Sequence, residues 1–214
     1  MTVIGFSSGV VGRDGNVDRL VKAVLQKSGH EYEFVKLTDL RYSACKGCTQ
    51  LCAAPQVCKL GDDLYPYYHK LKEADAVVIG SPVSFDTING LALSFIERFF
   101  GYRHVTSAIK DKPFVLVITG QRSTENAKKE FLRRIATVCQ ANVLDVVEYL
   151  SGVPPCLVCG RHTECRIGGL FRVHGEAALK MEITPELFRM WEDDPAVVSA
   201  VNVAAGKLRG LVQR

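Results

Sequence analysis

Four cysteines lie within fourteen positions of the 214-residue sequence, in the stretch SACKGCTQLCAAPQVCKL at residues 43–60. They are Cys45, Cys48, Cys52 and Cys58, and their spacing is C-x2-C-x3-C-x5-C. Closely spaced thiolates on an irregular loop can wrap around a [4Fe–4S] cluster, which needs four of them. A tetrahedral zinc site is an alternative, although zinc more often draws on two separate C-x2-C pairs. Free or redox-switching thiols are the third interpretation.

A second group of cysteines occurs in the stretch PPCLVCGRHTECRIGG at residues 154–169. Cys156, Cys159 and Cys165 have the spacing C-x2-C-x5-C, and His162 between them is a candidate fourth donor. Such a donor set suits a metal ion or a cluster, with a ligand from elsewhere in the chain if one is needed. The alternatives are a redox-active C-x2-C pair and three unligated thiols.

The compartment decides how these thiols behave. The N-terminal sequence MTVIGFSSG lacks the features of a signal peptide, and no apolar run approaches ~20 residues. We therefore expect a cytoplasmic protein without a membrane span, in which cysteines stay reduced and serve as ligands or reactive thiols. The remaining cysteine, Cys139, lies on an apolar helical face and is expected in the core. The net charge of +4 is modest, with no Lys/Arg run, so we expect no nucleic-acid partner.

Strand-like and helix-like apolar patterns alternate along the chain. The predicted strands are 2–6, 32–37, 75–80, 113–120 and 142–150. The predicted helices lie in 15–29, with Asn16 as N-cap and Gly29 as C-terminal stop, and in 62–74, 89–100 and 123–140. This alternation predicts an α/β fold, a doubly wound five-stranded parallel sheet of order 2-1-3-4-5 with helices on both faces.

We expect one domain at residues 1–150, with the cysteine loop 43–60 inserted in it. An extension at 151–214 would carry the second cysteine group and one or two helices, packed on the same domain or on a neighbouring subunit. The pairs Thr184–Pro185 and Asp194–Pro195 predict helix starts there. Because loops after the second and fifth strands lie far apart in this sheet order, a site using both cysteine groups would need a neighbouring subunit.

Three loops follow the first, third and fourth strands, whose carboxyl ends share the edge where such sheets bind ligands. Loop one, SSGVVGRDGN, would cradle a phosphate at a helix N-terminus, although it is neither a Walker loop nor a GxGxxG fingerprint. Loop two, GSPVSFDTING, could line the polar edge of a flat ring, and loop three is TGQRSTEN. The alternative is that each is an ordinary connection. The candidate binding residues are Ser7, Ser8, Gly9, Arg13, Asn16, Ser81, Pro82, Val83, Ser84, Phe85, Thr119, Gly120, Gln121 and Arg122.

These motifs resemble a known family. The stretch VIGSPVSFDTINGLALSFIERF resembles the GxPVYxxxxSGxxKxFxDR stretch of flavodoxin-fold NADPH-dependent FMN reductases, and GRDGNVDRLV is similar to their phosphate loop. The compact cysteine loop places the chain nearer the iron–sulfur flavoprotein branch. Three features depart from the family pattern. The middle cysteine spacing is x3. Ser84 replaces a tyrosine, so its ring-stacking contact would be lost or would pass to Phe85. Val17 replaces the usual threonine of the phosphate loop, which is one residue longer here.

The resemblance implies FMN in the three loops and a [4Fe–4S] cluster on the cysteine loop. It also implies a ferredoxin-like or NAD(P)H electron donor, a small acceptor such as oxygen, peroxide or a quinone, and a homodimer or homotetramer. We expect no essential proton-transferring catalytic residue, since the cofactors carry the chemistry. Two alternatives stay open. One is an NAD(P)H-dependent FMN or quinone reductase whose cysteines bind zinc or nothing, and the other is a flavodoxin-like electron carrier without turnover.

Overall fold

A computed structural model of the chain describes residues 1–211. Its main sheet has five long parallel strands in the predicted order 2-1-3-4-5. Their bounds are Thr2–Ser7 (β1), Glu31–Lys36 (β2), Ala76–Ser84 (β3), Pro113–Gly120 (β4) and Asn142–Leu150 (β5). A two-residue strand that the sequence did not predict, Thr87–Ile88, pairs antiparallel with the end of β3. Arg103–His104 and Thr106–Ser107 form a separate small hairpin.

The helices lie on both faces of the sheet, as predicted. Their bounds are Asn16–Ser28 (α1), Thr49–Cys52 (α2), Tyr65–Glu73 (α3), Gly90–Glu97 (α4), Glu125–Leu132 (α5), Cys156–Cys159 (α6), Gly169–His174 (α7) and Pro195–Arg209 (α8). Two predicted helices change character before they end. A 3-10 turn at Arg98–Tyr102 follows α4, and a π-helical segment at Arg133–Val138 follows α5.

The sheet separates two apolar clusters because successive strand residues point to opposite faces. Val77 and Ile79 face a cluster that includes α3, α4 and α5, whereas Ala76 and Val78 face α1 and α8. The central strands are buried on both sides, which explains why they read as continuous apolar runs. The sheet is therefore a rigid base for the loops at its carboxyl edge.

The extension consists of short pieces up to Asp194. Thr184–Pro185 begins only a 3-10 turn, at Pro185–Leu187, rather than a helix. Asp194 does cap α8 as predicted, since its carboxylate accepts hydrogen bonds from the Ala196 and Val197 N–H groups at 3.0 and 3.4 Å. Helix α8 packs against α1 and β5 of the same chain. None of the helices within residues 1–211 combines the length and hydrophobicity needed to cross a bilayer.

Candidate functional site

The three strand-end loops are joined to one another. The Ser8 N–H donates to the Gly80 carbonyl at 3.0 Å, and the Asn89 side chain donates to the Ser8 carbonyl at 2.8 Å, which ties loop one to loop two. The Asn126 side chain donates to the Asp86 carboxylate, which ties loop two to loop three. The predicted juxtaposition of these loops at one sheet edge is therefore present.

A buried carboxylate lies beneath loop one. Asp18, in the first turn of α1, accepts hydrogen bonds from the Ser7 hydroxyl at 2.7 Å and from the Gly15 N–H at 2.8 Å. The Lys36 ammonium lies 3.2 Å from the same carboxylate and compensates its charge. The Ser7 hydroxyl also accepts from the Gly9 N–H at 3.2 Å. Ser7 and Gly9, both predicted to contact phosphate, thus brace the loop from inside.

The outer part of loop one presents free donors. Within the described residues, the backbone N–H groups of residues 10–14 donate no hydrogen bond, and α1 begins directly after them. Free N–H groups at a helix N-terminus attract anions, and exposed Arg13 adds a positive charge. Asn16 is placed differently from expectation, because its side chain contacts the Arg189 carbonyl and the Trp191 N–H in the extension. The loop chemistry fits a phosphate group without Asn16.

Loops two and three begin from paired strands. Strand β3 continues beyond its predicted end, so Ser81 pairs with Ile118 and Pro82 with Thr119. The chain then turns at Phe85 and Asp86, whose φ angles are 48° and 66°. Such a two-residue turn with positive φ values matches the twist of a hairpin. The remaining predicted ring contacts follow on these loops, where Val83, Ser84, Gly120 and Gln121 are half-buried and Phe85 and Arg122 are exposed.

The first cysteine group lies partly inside the protein. Cys52 and Cys58 are buried, Cys48 is half-buried at the start of α2, and Cys45 is exposed. The pKa of the Cys52 thiol is raised by burial and, to a smaller extent, by the neighbouring thiols of Cys48, Cys58 and Cys45. The Cys52 sulfur also lies 3.2 Å from Nε2 of His104. The sequence around His104 contains no motif that would have indicated this contact.

A buried arginine holds the other end of this loop. Arg98 is 1% exposed, and its Nε donates to the Cys58 sulfur at 3.1 Å. Its other nitrogens donate to the Asp62 carboxylate and to the Leu60 carbonyl. A buried positive charge beside a sulfur favours negatively charged thiolate ligands there. The sequence showed only an arginine inside the apolar run SFIERFF, and its partners are too far along the chain to be inferred locally.

The cysteine loop adjoins the segment that follows loop two. The Tyr42 hydroxyl, just before the cysteines, donates to the Leu91 carbonyl of α4 at 2.8 Å. Residues 81–104 therefore begin at the edge where the three loops meet and end against Cys52 and Cys58 through His104 and Arg98. Within residues 1–211, no three or more Cys, His, Asp or Glu side chains are already arranged to hold a metal ion. The four thiols and the buried arginine nevertheless provide the donor chemistry that a cluster requires.

A family profile described as NADPH-dependent FMN reductase matches residues 1–153. The chain belongs to this family. The match covers the whole sheet and its three loops, and it confirms the resemblance drawn from the loop motifs. It stops where the extension begins.

Curated relatives of this family member are named iron–sulfur flavoproteins. One, from Archaeoglobus fulgidus, is 34% identical over 95 residues, which are 44% of this chain and 46% of that protein. Another, from Methanocaldococcus jannaschii, is 35% identical over 101 residues, which are 46% of this chain and 51% of that protein. The matched part is thus about half the length of each relative. These names agree with the branch of the family that the cysteine loop indicated.

Solved structures of several oxidoreductases share the fold. An NADH:FMN oxidoreductase superposes with a TM-score of 0.59 at 14% identity, covering 100% of this chain and 91% of that one. An NAD(P)H:quinone oxidoreductase from Methanothermobacter marburgensis has a TM-score of 0.55 at 15% identity, with coverage of 100% and 96%. These likenesses confirm the flavodoxin-like architecture predicted from the strand order.

The first residues of the extension return to the same sheet edge. The Ser151 N–H donates to the Gly120 carbonyl at 2.9 Å, and the Gly152 N–H donates to the Gln121 carbonyl at 3.0 Å. The second cysteine group follows directly, and Gly169 at the end of its stretch lies beside the Gln121 side chain of loop three. Sequence reasoning missed the contacts of Ser151 and Gly152, because nothing local in residues 151–152 indicates that their N–H groups meet loop three.

Sequence reasoning also missed two residues that support the loops. Asn89 accepts from the Ala92 N–H at 3.0 Å as the N-cap of α4, while its amide group reaches loop one. An Asn-Gly pair before an apolar helical run is a signal that could have identified this cap. Asp18 was detectable as an acid among the buried apolar positions of α1, a place where an unpaired charge would be costly.

Proposed function

We propose that this family member is an FMN-dependent oxidoreductase that also carries an iron–sulfur cluster on Cys45, Cys48, Cys52 and Cys58. The observation that supports it best is the course of residues 81–104. This segment contributes to the sheet edge at Ser81 and contacts both buried cysteines at its other end, through Arg98 and His104. One rigid stretch of chain would thereby keep the two cofactors side by side.

The three loops would hold FMN by distinct groups. The free N–H groups of residues 10–14, with Arg13, would bind the phosphate. Ser7 and Gly9 keep the loop in shape. Ser8, predicted to contact the phosphate, is buried, and both its N–H and its hydroxyl donate to the Gly80 carbonyl, so it also supports the loop. The backbone and side chains of loops two and three would line the ring, and these residues are Ser81, Pro82, Val83, Ser84, Phe85, Thr119, Gly120, Gln121 and Arg122. Bound FMN supplies two-electron and one-electron redox chemistry. Exposed Phe85 would shield one side of the ring from water.

The cysteine loop would hold the cluster, for which [4Fe–4S] is the type that the four thiols favour. Arg98 would offset the negative charge of the thiolates from inside the protein, and Lys46 and Lys59 would do so from the surface. A bound cluster supplies one-electron transfer. The protein's own part is to bury Cys52 and Cys58 and to leave Cys45 near solvent.

The wider function is also part of the proposal. Electrons would enter from a ferredoxin-like carrier or from NAD(P)H and leave to a small acceptor such as oxygen, peroxide or a quinone. The protein would work in the cytoplasm as a homodimer or homotetramer. The solved oxidoreductases that share the fold are named for NADH and NAD(P)H, which supports a nicotinamide donor.

The test is a cofactor analysis of protein purified without oxygen. Flavin, iron, sulfide and zinc are measured on wild type, on Cys48→Ala and on Cys139→Ala as a control outside both cysteine groups. We expect FMN in all three proteins and iron with sulfide in wild type and Cys139→Ala only. Iron that persists in Cys48→Ala would show that this loop does not hold the cluster. Absence of FMN from the wild-type protein, together with no binding of added FMN, would contradict the flavin site.

A second candidate is an NAD(P)H-dependent FMN or quinone reductase without a cluster. It is favoured by the description of the matching family profile, NADPH-dependent FMN reductase, which names no cluster. Steady oxidation of NADPH or NADH with an added quinone, by protein that contains flavin but neither iron nor sulfide, would support it. No turnover with any nicotinamide or reduced ferredoxin would instead support a simple electron carrier.

A further inference from the structure

The second cysteine group and His162 surround one small cavity. Cys156, Cys159, His162 and Cys165 occur at every third position and all line this cavity, whose volume is about 20 Å³. Helix α6 places the first two one turn apart, and a 3-10 turn at His162–Glu164 leads to the last. Three sulfur donors and one imidazole therefore face a space with room for about one small ion or water molecule.

The hydrogen bonding of His162 leaves the lone pair of its Nδ1 atom free to bind a metal ion. Its Nε2 lies 2.7 Å from the Met181 carbonyl, which can only accept, so Nε2 carries the proton. In the neutral ring, Nδ1 then has the free lone pair. Nδ1 is buried and, within the described residues, has no hydrogen-bond partner. Metal-binding histidines are commonly oriented in this way, with the outer nitrogen bonded to a carbonyl.

Two of the sulfurs already converge. A Cβ atom on Gly168 would lie 2.9 Å from the Cys156 sulfur and 3.1 Å from the Cys165 sulfur. Both thiols therefore contact Gly168, and a side chain at this residue would displace them. Glycine at this position leaves space beside the donors.

The part of the extension that precedes Trp191, unlike α8, is not anchored in the core of the main domain. Its apolar cluster contains three buried residues, Leu157, Leu170 and Ala178. Segments with so small a core usually need a staple such as a disulfide or a structural metal. All eight cysteines are free, so no disulfide supplies one.

We propose that Cys156, Cys159, His162 and Cys165 bind a single Zn²⁺ ion. Three thiolates and one imidazole form a closed tetrahedral donor set typical of structural zinc. The size of the cavity favours one ion over a cluster. The donors are not yet at bonding geometry, because ligation must first remove the thiol protons and then draw the sulfurs inward.

The ion would fasten the extension beside loop three. Gln121 of loop three contacts the chain on both sides of the site. The Gly152 N–H, which precedes the four donors, bonds the Gln121 carbonyl, and a Cβ atom on Gly169, which follows them, would lie 3.6 Å from the Gln121 side chain. Zinc would thereby hold residues 152–169 as a wall along the candidate flavin edge. Its role is structural and does not depend on the identity of the electron donor or acceptor.

Metal analysis of the full-length protein tests this site. Zinc per chain is measured after purification, for wild type, Cys159→Ser and His162→Gln, with Cys48→Ser and Cys139→Ser as matched controls. We expect about one zinc per chain in wild type and both controls, and at least a tenfold loss in Cys159→Ser. His162→Gln removes one neutral ligand and should weaken Zn²⁺ binding by more than 10- to 100-fold, the range for mutation of a residue that only orients a ligand.

Cobalt substitution of wild type provides a second measurement that does not require a variant to fold. One equivalent of Co²⁺ should give the intense visible spectrum of a tetrahedral thiolate site, and added Zn²⁺ should abolish it. A wild-type protein that takes up neither Zn²⁺ nor Co²⁺ overturns the proposal. Zinc content that is equal in wild type, Cys159→Ser and His162→Gln also overturns it, as does iron with sulfide that is lost on Cys159→Ser.

Discussion

The two cysteine groups offer similar donors but lie in very different surroundings. In the first group Cys52 and Cys58 are buried, and Cys58 contacts a buried arginine beside the main core. In the second group Cys159 is exposed, and the surrounding core has three buried residues. The difference indicates two ways of building a metal site. If both groups bind metal as proposed, the fold already buries two ligands of the first site, whereas the second site would depend on its ion for more of its stability.

The strongest test of this contrast compares two arginines, each beside one cysteine group. We expect Arg98→Met to lower the free energy of unfolding by about 3–5 kcal/mol, because it leaves the buried end of Asp62 without its charge partner. Arg161→Met should leave stability unchanged, because Arg161 is exposed and pairs only with exposed Glu164. Urea denaturation of the metal-free proteins measures both. Equal losses in the two variants would show that the groups are supported alike.

A second test uses two glycines that pack against the cysteines. A Cβ atom on Gly101 would lie 2.7 Å from the Cys58 backbone nitrogen, which cannot move aside, so Gly101→Ala should cost about 1–3 kcal/mol of stability. A Cβ atom on Gly168 would meet only cysteine side chains, which can rotate. Gly168→Ala should therefore reduce zinc content while leaving the urea midpoint of the metal-free protein unchanged. A large stability loss in metal-free Gly168→Ala would mean that the second site is also shaped in advance.

Loop one resembles the first cysteine group in being braced before its ligand arrives. Asp18→Asn keeps the shape of the side chain but removes the charge that Lys36 compensates. We expect a loss of about 1–3 kcal/mol in the free energy of unfolding, the usual cost of a disturbed buried polar contact. FMN binding should become tighter, because one negative charge near the phosphate is gone.

Urea denaturation and FMN fluorescence titration give the two values for Asp18→Asn. Asp14→Asn is the matched control, since Asp14 lies on the same loop but is exposed and pairs with Lys22 at the surface. We expect that control to leave stability unchanged. If Asp18→Asn weakens FMN binding more than Asp14→Asn does, the carboxylate is part of the binding site and not only its support.

The fold was predictable from sequence because its signals are local. Apolar runs marked all five strands, and their alternation with helices indicated a parallel sheet, for which the order 2-1-3-4-5 suits five strands. The errors occurred where local patterns are ambiguous. Strand β3 was predicted to end at Gly80. In the structure it continues, and Pro82, a residue that is rare inside sheets, pairs with Thr119 of β4. The helix predicted at 123–140 becomes π-helical over Arg133–Val138. This segment is only six residues long, too short for its apolar pattern to distinguish a π-helix from an α-helix.

The site was predictable in its cysteines and loops but not in its supports. The cysteine spacing and the glycine-rich loop can be seen directly in the sequence. The contacts of Arg98 with Cys58 and of Asn16 with Arg189 join residues far apart in the chain, and only packing brings them together. Asn16 shows the consequence, because its position in the loop indicated a phosphate contact while its side chain bonds the extension instead.

The smallest expected effect concerns Cys139, the one cysteine outside both groups. Burial raises the pKa of this thiol to about 11 from an ordinary value of 9.0, with a small opposing influence from Arg103. The thiolate is the reactive form, so native Cys139 should resist iodoacetamide at neutral pH and react only as the pH approaches the raised pKa. In metal-free protein, exposed Cys45 and Cys159 should be modified first. Mass spectrometry of alkylated peptides at several pH values measures this order.

The same shift links Cys139 to stability with a definite sign. Because the folded-state pKa lies above the unfolded-state value, the native state holds its proton more tightly than the unfolded chain does. The contribution to stability is therefore complete below about pH 9 and is lost as the pH rises through about 11. Cys139→Ala should remove this part of the alkaline loss and leave stability near neutral pH reduced only by the small cavity. If native Cys139 is alkylated at neutral pH as fast as Cys45, the C-terminal end of the π-helical segment Arg133–Val138, which Cys139 caps, opens readily. The first cysteine group would then rest on a less rigid core than its buried contacts indicate.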